Sequence, residues 1–331
     1  MRQFADIEDL SGLGRDALGA GCRVVTVDRL RGGSKKGVYR VRLDGTRTAS
    51  VIVYSWAEAE NFWPGAREVD PADPFAPASA LVSFLAAQRN LDGLGVRVPR
   101  IHLVDDSRRR CPADVAVVED VSGGTLEALF VTDPARAAKA LGGLAEMLEV
   151  MHRHQGHYYG RVDLLERGGF VSEVSCERRV LDRALRDLEE AAGRDERIAA
   201  ARAALRHRLQ ELTDRVSPRT EYGLIHGELG PDHVLVDTDG HPVLIDIEGL
   251  MYFDVEWEHV FLQLRFGEQY TALARPGLDP QRLALYMLAM RLSLVAGPLR
   301  LLDGDFPDRA FMQGIAKQNA KEALTLLDGP G

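Results

Sequence analysis

Two acidic residues, Glu228 and Asp246, flank a short segment whose pattern predicts a β-hairpin. Two apolar runs, Val234–Val236 and Val243–Ile245, are separated by the turn sequence Thr238-Asp239-Gly240. A hairpin with one carboxylate before it and another at its far end can direct both at one point. Phosphoryl transfer uses such a pair, because one carboxylate accepts a hydroxyl proton while the other holds a metal ion on the triphosphate.

Other polar side chains of this segment are candidates for the same chemistry. Asp246 ends an apolar run, and its carboxylate suits Mg²⁺, which takes oxygen ligands; the alternative is a strand-terminal aspartate that caps a turn. Glu248 either assists through a second metal or a bound water, or forms a salt bridge. His226 is expected to orient the loop by hydrogen bonds from its ring, with proton transfer as the alternative.

The stretch His226–Gly249 resembles the catalytic and metal-binding loops of the kinase-like phosphotransferases, above all the aminoglycoside phosphotransferase family. The resemblance implies that Glu228 stands where the family usually has a catalytic aspartate, and that Asp246 is the magnesium ligand. His233 stands where the family has a metal-binding asparagine. Imidazole is a poorer Mg²⁺ ligand than an oxygen donor, so His233 binds metal through nitrogen, contacts a phosphate, or weakens a second metal site.

The lysine that grips the α- and β-phosphates in protein kinases has no counterpart on the predicted third strand. That strand has Tyr54 where lysine is expected, and the predicted helix Ala78–Leu91 contains no glutamate to pair with it. A triphosphate in a poorly solvated cleft requires positive charge. Another part of the chain must therefore supply the cation.

The glycine-rich turn Gly32–Gly37 contains the only two lysines before Lys139. Backbone N–H groups of such a turn can cradle phosphates, and a lysine adds a point charge. We expect one of these lysines to replace the strand lysine; the alternative is two solvated turn lysines, with Arg40 and Arg47 as fallback cations. The candidate nucleotide-binding residues of the turn are Gly33, Ser34, Lys35 and Lys36.

The segment Glu119–Thr125 (EDVSGGT) interrupts the pattern with two glycines and predicts a hinge. The resemblance implies that backbone groups at Glu119 and Val121 bind the purine edge. The predicted domains are a nucleotide-binding lobe at 1–118, the hinge at 119–125 and a helical lobe at 126–331 with the catalytic loop and the acceptor pocket.

The alternation of apolar residues predicts five strands before the hinge and mainly helices after it. This order predicts an α+β, bilobal, protein-kinase-like fold with a small antiparallel sheet and a larger helical lobe. The predicted strands are Arg23–Leu30, Val38–Leu43, Ala49–Trp56, Ile101–Val104 and Val115–Val118. Besides a helix within residues 1–20, the predicted helices are Ala78–Leu91, Pro134–His152, Ser175–Ala192, Arg194–Val216, Asp254–Phe266, Pro280–Leu302 and Phe311–Leu327.

Two further expectations concern segments outside these elements. The polar stretch Glu58–Asp73 predicts a loop. Asp254, which follows the metal-binding loop, is expected to brace the catalytic loop, with a helix N-cap as the alternative.

The composition is that of an ordinary globular protein, with 331 residues, 45% hydrophobic and 27% charged. A net charge of −9 argues against a nucleic-acid partner. The apolar tract Leu283–Leu302 is interrupted by Arg291, Pro298 and Arg300, so we expect a buried helix and no membrane partner. Three scattered cysteines and the lack of an N-terminal signal favour a cytoplasmic location.

The implied reaction is transfer of the γ-phosphoryl group of ATP (or GTP) to a hydroxyl of a small molecule. An antibiotic is the first expectation for the acceptor, and a metabolic small molecule is the alternative. A nucleotide-binding regulator without catalysis is a second hypothesis, because Glu228, His233 and Tyr54 all depart from the family pattern. The sequence names neither the acceptor nor the nucleotide, nor the number of metal ions or subunits.

Overall fold

A computed structural model of the chain describes residues 2, 4–19, 21–30, 33–63, 73–76, 80–109, 111–168 and 174–327. The chain divides into two compact units. The first comprises residues 1–63, 77–144 and 231–249, and the second comprises residues 64–76, 145–230 and 250–331. These units are defined by packing alone and not by nucleotide binding, so the predicted lobes and hinge stay a prediction.

The first unit contains a five-stranded antiparallel sheet. Each strand begins and ends within one residue of its predicted bounds, which confirms the predicted antiparallel sheet. The strands are β1 (Arg23–Arg29), β2 (Gly37–Asp44), β3 (Ser50–Ser55), β4 (Ile101–Asp105) and β5 (Val115–Glu119). Their spatial order is β1-β2-β3-β5-β4.

One face of this sheet packs against the first helix, α1 (Ile7–Leu18). Alternate strand residues share a face because the side-chain period of a strand is two. Leu10 and Leu13 of α1 are fully buried. They lie in one core cluster with the sheet residues Tyr39, Val41, Val51, Val53, Val115 and Val117. This packing fixes β2, which follows the glycine-rich turn, and β3, which carries Tyr54.

The first unit also contains α2 (Leu81–Gly93), α3 (Leu126–Thr132) and the beginning of α4 (Pro134–Arg153). The predicted start of α2 at Ala78 lies outside the described residues. The short helix α3 was not predicted; the Thr125 hydroxyl caps it by accepting the N–H of Ala128 at 3.2 Å.

The predicted loop Glu58–Asp73 contains a 3₁₀ turn, Glu58–Glu60. Its residues 64–72 lie outside the described part of the chain, so the rest of this prediction has no structural outcome.

The second unit is mainly helical and carries a small sheet of short strands. Its helices are α5 (Val162–Glu166), α6 (Cys176–Ala192), α7 (Glu196–Asp214), α8 (Val255–Phe266), α9 (Pro280–Leu301) and α10 (Arg309–Thr325). Its strands β6 (Gln155–Gly156), β7 (Gly160–Arg161), β8 (Tyr222–Ile225) and β11 (Met251–Phe253) lie in the order β6-β8-β11-β7. The long helices agree with the predicted ones, whereas the short strands and α5 were not predicted.

Helix α9 is long and apolar enough to cross a membrane, judged by length and composition alone within the described part of the chain. Its most apolar window has a mean hydropathy of 1.3, and 56% of that window is buried within the fold. A single helix of this kind is a weak indication, since the core helix of a soluble protein passes the same test. The absence of a membrane partner and the cytoplasmic location stay predictions.

Candidate active site

The hairpin predicted from the sequence is formed by β9 (Val234–Val236) and β10 (Pro242–Leu244), which pair antiparallel. A 3₁₀ turn, Pro231–His233, precedes it, and Asp246 follows two residues after β10 ends. The hairpin, His233, Asp246 and Glu248 all belong to the first unit. This unit therefore contains every predicted metal ligand.

The first unit brings Lys36 of the glycine-rich turn to two of these predicted ligands. The Lys36 Nζ lies 2.9 Å from Oδ1 of Asp246 and donates a hydrogen bond to Oε1 of Glu248. The same ammonium lies 4.8 Å from the ring centroid of Tyr54. Lys36 is only 8% exposed, so its charge is compensated by carboxylates rather than by bulk water.

The charges of this cluster stabilise one another. The ammonium of Lys36 holds the pKa of the Asp246 carboxyl well below its usual range. Burial alone would lower the pKa of Lys36, but the carboxylates of Asp246 and Glu248 raise it above the ordinary value. Burial raises the pKa of Tyr54 to about 12, so its phenol stays neutral beside the cluster. Lys36 and Asp246 are therefore both ionised at neutral pH.

Asp246 has a backbone conformation that few residues other than glycine adopt, with φ of +60°. Such strain is found where the surrounding structure fixes a functional side chain. The preceding N–H, that of Ile245, donates to the carbonyl of His233 at 3.0 Å. The Asp246 side chain is 45% exposed, whereas that of Glu248 is 6% exposed. Of the two carboxylates, that of Asp246 is the more accessible to an incoming ion.

His233 lies beside Asp246, as the sequence resemblance implied. Its Nε2 is 3.8 Å from Oδ2 of Asp246 and 3.8 Å from Oδ2 of Asp232. Asp232 was not predicted, although its position next to His233 was a usable signal.

The donor set of this cluster fits a divalent metal ion. Two carboxylates, those of Asp246 and Glu248, converge on one cation, for which the Lys36 ammonium stands in. Hard cations such as Mg²⁺ prefer carboxylate oxygens and complete their shell with water and phosphate oxygens. His233 offers a nitrogen, which Mg²⁺ binds less readily.

A segment that the sequence predicted only as a loop fixes the glycine-rich turn in place. The N–H of Phe62 donates to the Ser34 carbonyl at 2.9 Å, and the indole Nε1 of Trp63 donates to the Ser34 hydroxyl oxygen at 3.0 Å. At Gly33 a Cβ would lie 2.5 Å from the carbonyl oxygen of Lys36, which only glycine avoids. Because its oxygen already accepts from Trp63, the Ser34 hydroxyl can direct its hydrogen elsewhere.

Glu60 anchors this same segment from within the core. It is 1% exposed and accepts hydrogen bonds from Arg29, with Nη2 at 2.6 Å, and from the phenol of Tyr39. A Cβ at Gly37 would lie 2.5 Å from the Glu60 carboxyl. Glu60 was not singled out in the sequence, because nothing local marks it as buried.

The other residues predicted to bind nucleotide lie in the glycine-rich turn or at the end of β5. Lys35 is partly exposed, and its charge contributes to the lowered pKa of Asp246. Glu119 ends β5, and its N–H donates to the Arg100 carbonyl at 2.8 Å. Val121 is buried. The fallback cation Arg40 is paired with a carboxylate, that of Asp120 at 2.8 Å.

The second unit carries the loop with His226 and Glu228. Glu228 is exposed, and His226 is buried. The carboxylate of Glu258, itself fully buried, accepts the N–H of His226 at 2.6 Å and that of Gly227 at 3.4 Å. Burial raises the pKa of Glu258 to about 7. Glu258 therefore holds the backbone of this loop.

Asp254, which the sequence suggested as the brace of this loop, has another role. It forms a fully buried ion pair with Arg282 and accepts a hydrogen bond from the Tyr286 phenol. Glu258 lies four residues later, on the next turn of α8, and it makes the contacts expected of Asp254. The spacing of acids in DVEWE contained both candidates, but only burial and hydrogen bonding distinguish them.

Glu228 belongs to the second unit and Asp246 to the first. Their convergence on one point, inferred from the sequence, therefore stays a prediction. Within the first unit the structure joins Lys36 to Asp246 and Glu248, and it places His233 beside Asp246. The sequence did not single out Trp63, Glu60 and Asp232 near these groups, or Glu258, which holds the His226 loop in the second unit.

A five-stranded antiparallel sheet, a mainly helical second unit and a lysine held by carboxylates at the end of a hairpin define a kinase-like phosphotransferase. The sequence profile of the phosphotransferase enzyme family, APH, matches residues 26–288. The chain belongs to this family, whose enzymes transfer phosphoryl groups to hydroxyl acceptors. No curated protein sequence matched the chain.

Several solved structures share the fold at low sequence identity. A spectinomycin phosphotransferase, APH(9)-Ia, in complex with ADP and spectinomycin is 13% identical with a TM-score of 0.65, covering 98% of this chain and 99% of its own. A thermostable mutant of aminoglycoside phosphotransferase APH(4)-Ia is 17% identical with a TM-score of 0.59, covering 91% and 95%. The choline kinase LicA from Streptococcus pneumoniae is 14% identical with a TM-score of 0.58, covering 97% of each chain.

Proposed function

We propose that this chain is an ATP-dependent kinase that phosphorylates a hydroxyl of a small molecule, with GTP as the alternative nucleotide. The observation that carries the proposal is the position of Lys36. A cation from the glycine-rich turn meets the two predicted metal ligands, Asp246 and Glu248. A kinase needs these charges near a triphosphate, since catalysis of phosphoryl transfer is mostly positioning and charge stabilisation.

Each predicted residue of the first unit has a role in this proposal. Asp246, with Glu248 and His233, holds Mg²⁺, which when bound neutralises charge on the triphosphate. The glycine-rich turn binds the phosphates through its backbone, the Ser34 hydroxyl and the Lys36 ammonium. Backbone groups at Glu119 and Val121 bind the purine edge.

In the second unit Glu228 accepts or orients the proton of the acceptor hydroxyl. Its exposure supports this role, because a base must be reachable by the acceptor. His226 positions the loop, and the hydrogen bonds from its N–H and that of Gly227 to Glu258 hold the loop backbone. Glutamate instead of aspartate at position 228 places the carboxylate one methylene farther from the backbone.

An antibiotic is the first acceptor class we propose to test, and a metabolic small molecule is the alternative. The structural neighbours include enzymes in complex with spectinomycin and with hygromycin B, and also a choline kinase. These likenesses support a hydroxyl-bearing small molecule and do not choose between the two classes.

A regulator that binds nucleotide without catalysis remains the second candidate. Three observations favour it, namely glutamate at 228, histidine at 233 and the absence of lysine on β3. The contact of Lys36 with Asp246 weakens the argument from the absence of lysine on β3. A cation is present beside Tyr54, although it comes from another segment.

The proposal is tested by a product screen by mass spectrometry. The protein is incubated with ATP, Mg²⁺ and a panel of antibiotics and hydroxylated metabolites, and an acceptor gaining one phosphate is sought. A phosphorylated product supports the kinase. Metal-dependent nucleotide binding with no product from any acceptor supports the regulator instead.

With an acceptor in hand, Glu228→Gln tests the proposed base. We expect kcat to fall by roughly 10²–10⁴ while the affinity for nucleotide is retained, because the variant loses only proton transfer. Glu221→Gln is the matched control, since Glu221 is an exposed glutamate just before β8, the strand that leads into the loop with Glu228. Full activity of Glu228→Gln would reject Glu228 as the base.

A further inference from the structure

The cluster at Lys36 has fewer positive charges than it has carboxylates. One ammonium serves both Asp246 and Glu248, and it is 2.9 Å from Oδ1 of Asp246 and hydrogen-bonded to Glu248. Lys36 is 8% exposed and Glu248 is 6% exposed, so little water screens them. Removal of the ammonium would leave the buried Glu248 carboxylate without its hydrogen-bonded cation, beside the carboxylate of Asp246, at a high cost in free energy.

A magnesium ion and this ammonium compete for the same oxygens. Mg²⁺ binds carboxylate oxygens at about 2.0–2.1 Å. An ion bound to Oδ1 of Asp246 would therefore lie within roughly 5 Å of the ammonium nitrogen if Lys36 did not move. Like charges at this distance repel strongly where water is scarce. The phosphates of a nucleotide, in contrast, bring negative charges that can receive the ammonium.

The Lys36 ammonium also lies beside an aromatic ring, which can stabilise its charge. The ring of Tyr54, 4.8 Å from Nζ, offers a face that attracts cations. His233 and Lys35 also act on Asp246, so its carboxylate keeps some compensation when the ammonium moves.

We propose that Lys36 is a built-in counter-ion that occupies the metal-binding carboxylates until a nucleotide arrives. Asp246 and Glu248 would then be free to hold the metal, because the Lys36 ammonium moves to the phosphates. Metal and nucleotide accordingly bind together, and free metal is excluded from the empty site. This inference rests on the proposed function, in which Asp246 is the metal ligand and Lys36 a phosphate ligand.

The test measures binding of Mn²⁺, as a paramagnetic substitute for Mg²⁺, by electron paramagnetic resonance without nucleotide. The wild-type protein is compared with Lys36→Met and with Lys317→Met, a control that removes one exposed lysine charge from α10 of the second unit. We expect Lys36→Met to bind Mn²⁺ at least about tenfold more tightly than wild type, because the competing charge is gone. Lys317→Met should stay within about threefold of wild type, since Lys317 belongs to α10 and not to the Lys36 cluster.

A second measurement keeps the inference testable if Lys36→Met fails to fold. ADP should tighten Mn²⁺ binding to the wild-type protein at least about tenfold, since the phosphates free the carboxylates from Lys36. Lys36→Gln, which keeps a hydrogen-bonding group without the charge, should lose most of this coupling. Equal Mn²⁺ affinity with and without ADP would overturn the inference.

The counter-ion role of Lys36 and the metal site at Asp246 can be told apart by their variants. If Lys36→Met binds Mn²⁺ no better than wild type, while Asp246→Asn abolishes binding in the presence of ADP, the metal site stands and the counter-ion role of Lys36 is wrong. If Asp246→Asn leaves Mn²⁺ binding with ADP unchanged, the proposed metal ligand itself is wrong.

Discussion

At the scale of single residues, the proposed site takes its lysine from the glycine-rich turn and not from β3. Tyr54 occupies the strand position where a kinase has lysine, yet its ring lies 4.8 Å from the ammonium of Lys36. The charge therefore comes from the glycine-rich turn, which is joined to the same sheet through β2. Phosphoryl transfer requires a cation near the phosphates, whichever segment of the chain carries that cation.

Glu258 gives a residue-scale prediction because its buried carboxyl has a pKa raised to about 7 from an ordinary 4.5. The folded state then binds more protons than the unfolded state between these two values, so its contribution to stability falls as pH rises through that window. Glu258→Gln lacks this titration. The unfolding free energy of the variant should rise relative to wild type by up to about 3 kcal/mol from pH 4.5 to pH 7.

Urea denaturation of wild type and Glu258→Gln across this pH range measures the difference. Comparison of the two proteins cancels the titration of all other groups to first order. A difference in unfolding free energy that stays flat across the window would show that burial does not perturb the carboxyl of Glu258.

At the scale of elements, the glycines after β5 allow the chain to pack against the hairpin. The N–H of Val236 in β9 donates to the Gly124 carbonyl at 3.0 Å. Gly123 has φ of +136°, and a Cβ there would lie 2.2 Å from the Val236 carbonyl oxygen. Gly124 has φ of +89° and open space around it. A substitution at Gly123 therefore adds steric overlap to backbone strain, whereas a substitution at Gly124 adds backbone strain alone.

Gly123→Ala should lower the unfolding free energy by about 2–4 kcal/mol, because strain and overlap with β9 add. Gly124→Ala is the matched control and should cost about 1 kcal/mol from its backbone conformation alone. Thermal or chemical denaturation compares the two. Equal losses would mean that the close approach of Gly123 to β9 does not contribute.

At the scale of the whole molecule, the proposed metal and phosphate ligands fall in one compact unit. Lys36, Asp246 and Glu248 belong to the first unit, whereas α10 belongs to the second. The second unit has its own core of packed helices and aromatic rings. A ligand that binds the cluster should therefore reduce local opening in segments of the first unit, and the affected segments can be identified along the chain.

Hydrogen exchange with and without Mg²⁺-ADP measures this pattern. We expect slower exchange at 33–37 and 246–248, because bound phosphates and metal suppress local opening of these segments. Exchange within α10 (Arg309–Thr325) should be unchanged. Unaltered exchange in the glycine-rich turn, or equal slowing in α10, would contradict the proposed nucleotide site.

The sequence by itself determined the family, the strands of the five-stranded sheet and the long helices. These features depend on local signals, namely apolar periodicity, glycine-punctuated turns and the motif at His226–Gly249. Candidate ligands such as Asp246 and Lys36 were also visible, because charged residues are conspicuous next to a strand end or in a glycine-rich turn. The short strands of the second unit were not predicted because they are defined by pairing with distant segments, and the 3₁₀ turns because three residues are too few to show a period.

Only the tertiary structure decided which of the two turn lysines is paired with the carboxylates, and which acid of DVEWE holds the loop. Lys36 and Asp246 are 210 residues apart in the chain, and Glu258 is 32 residues from His226. Burial, hydrogen bonding and charge compensation depend on which distant segments meet. A local pattern cannot contain that information, since it is set by the packing of the whole chain.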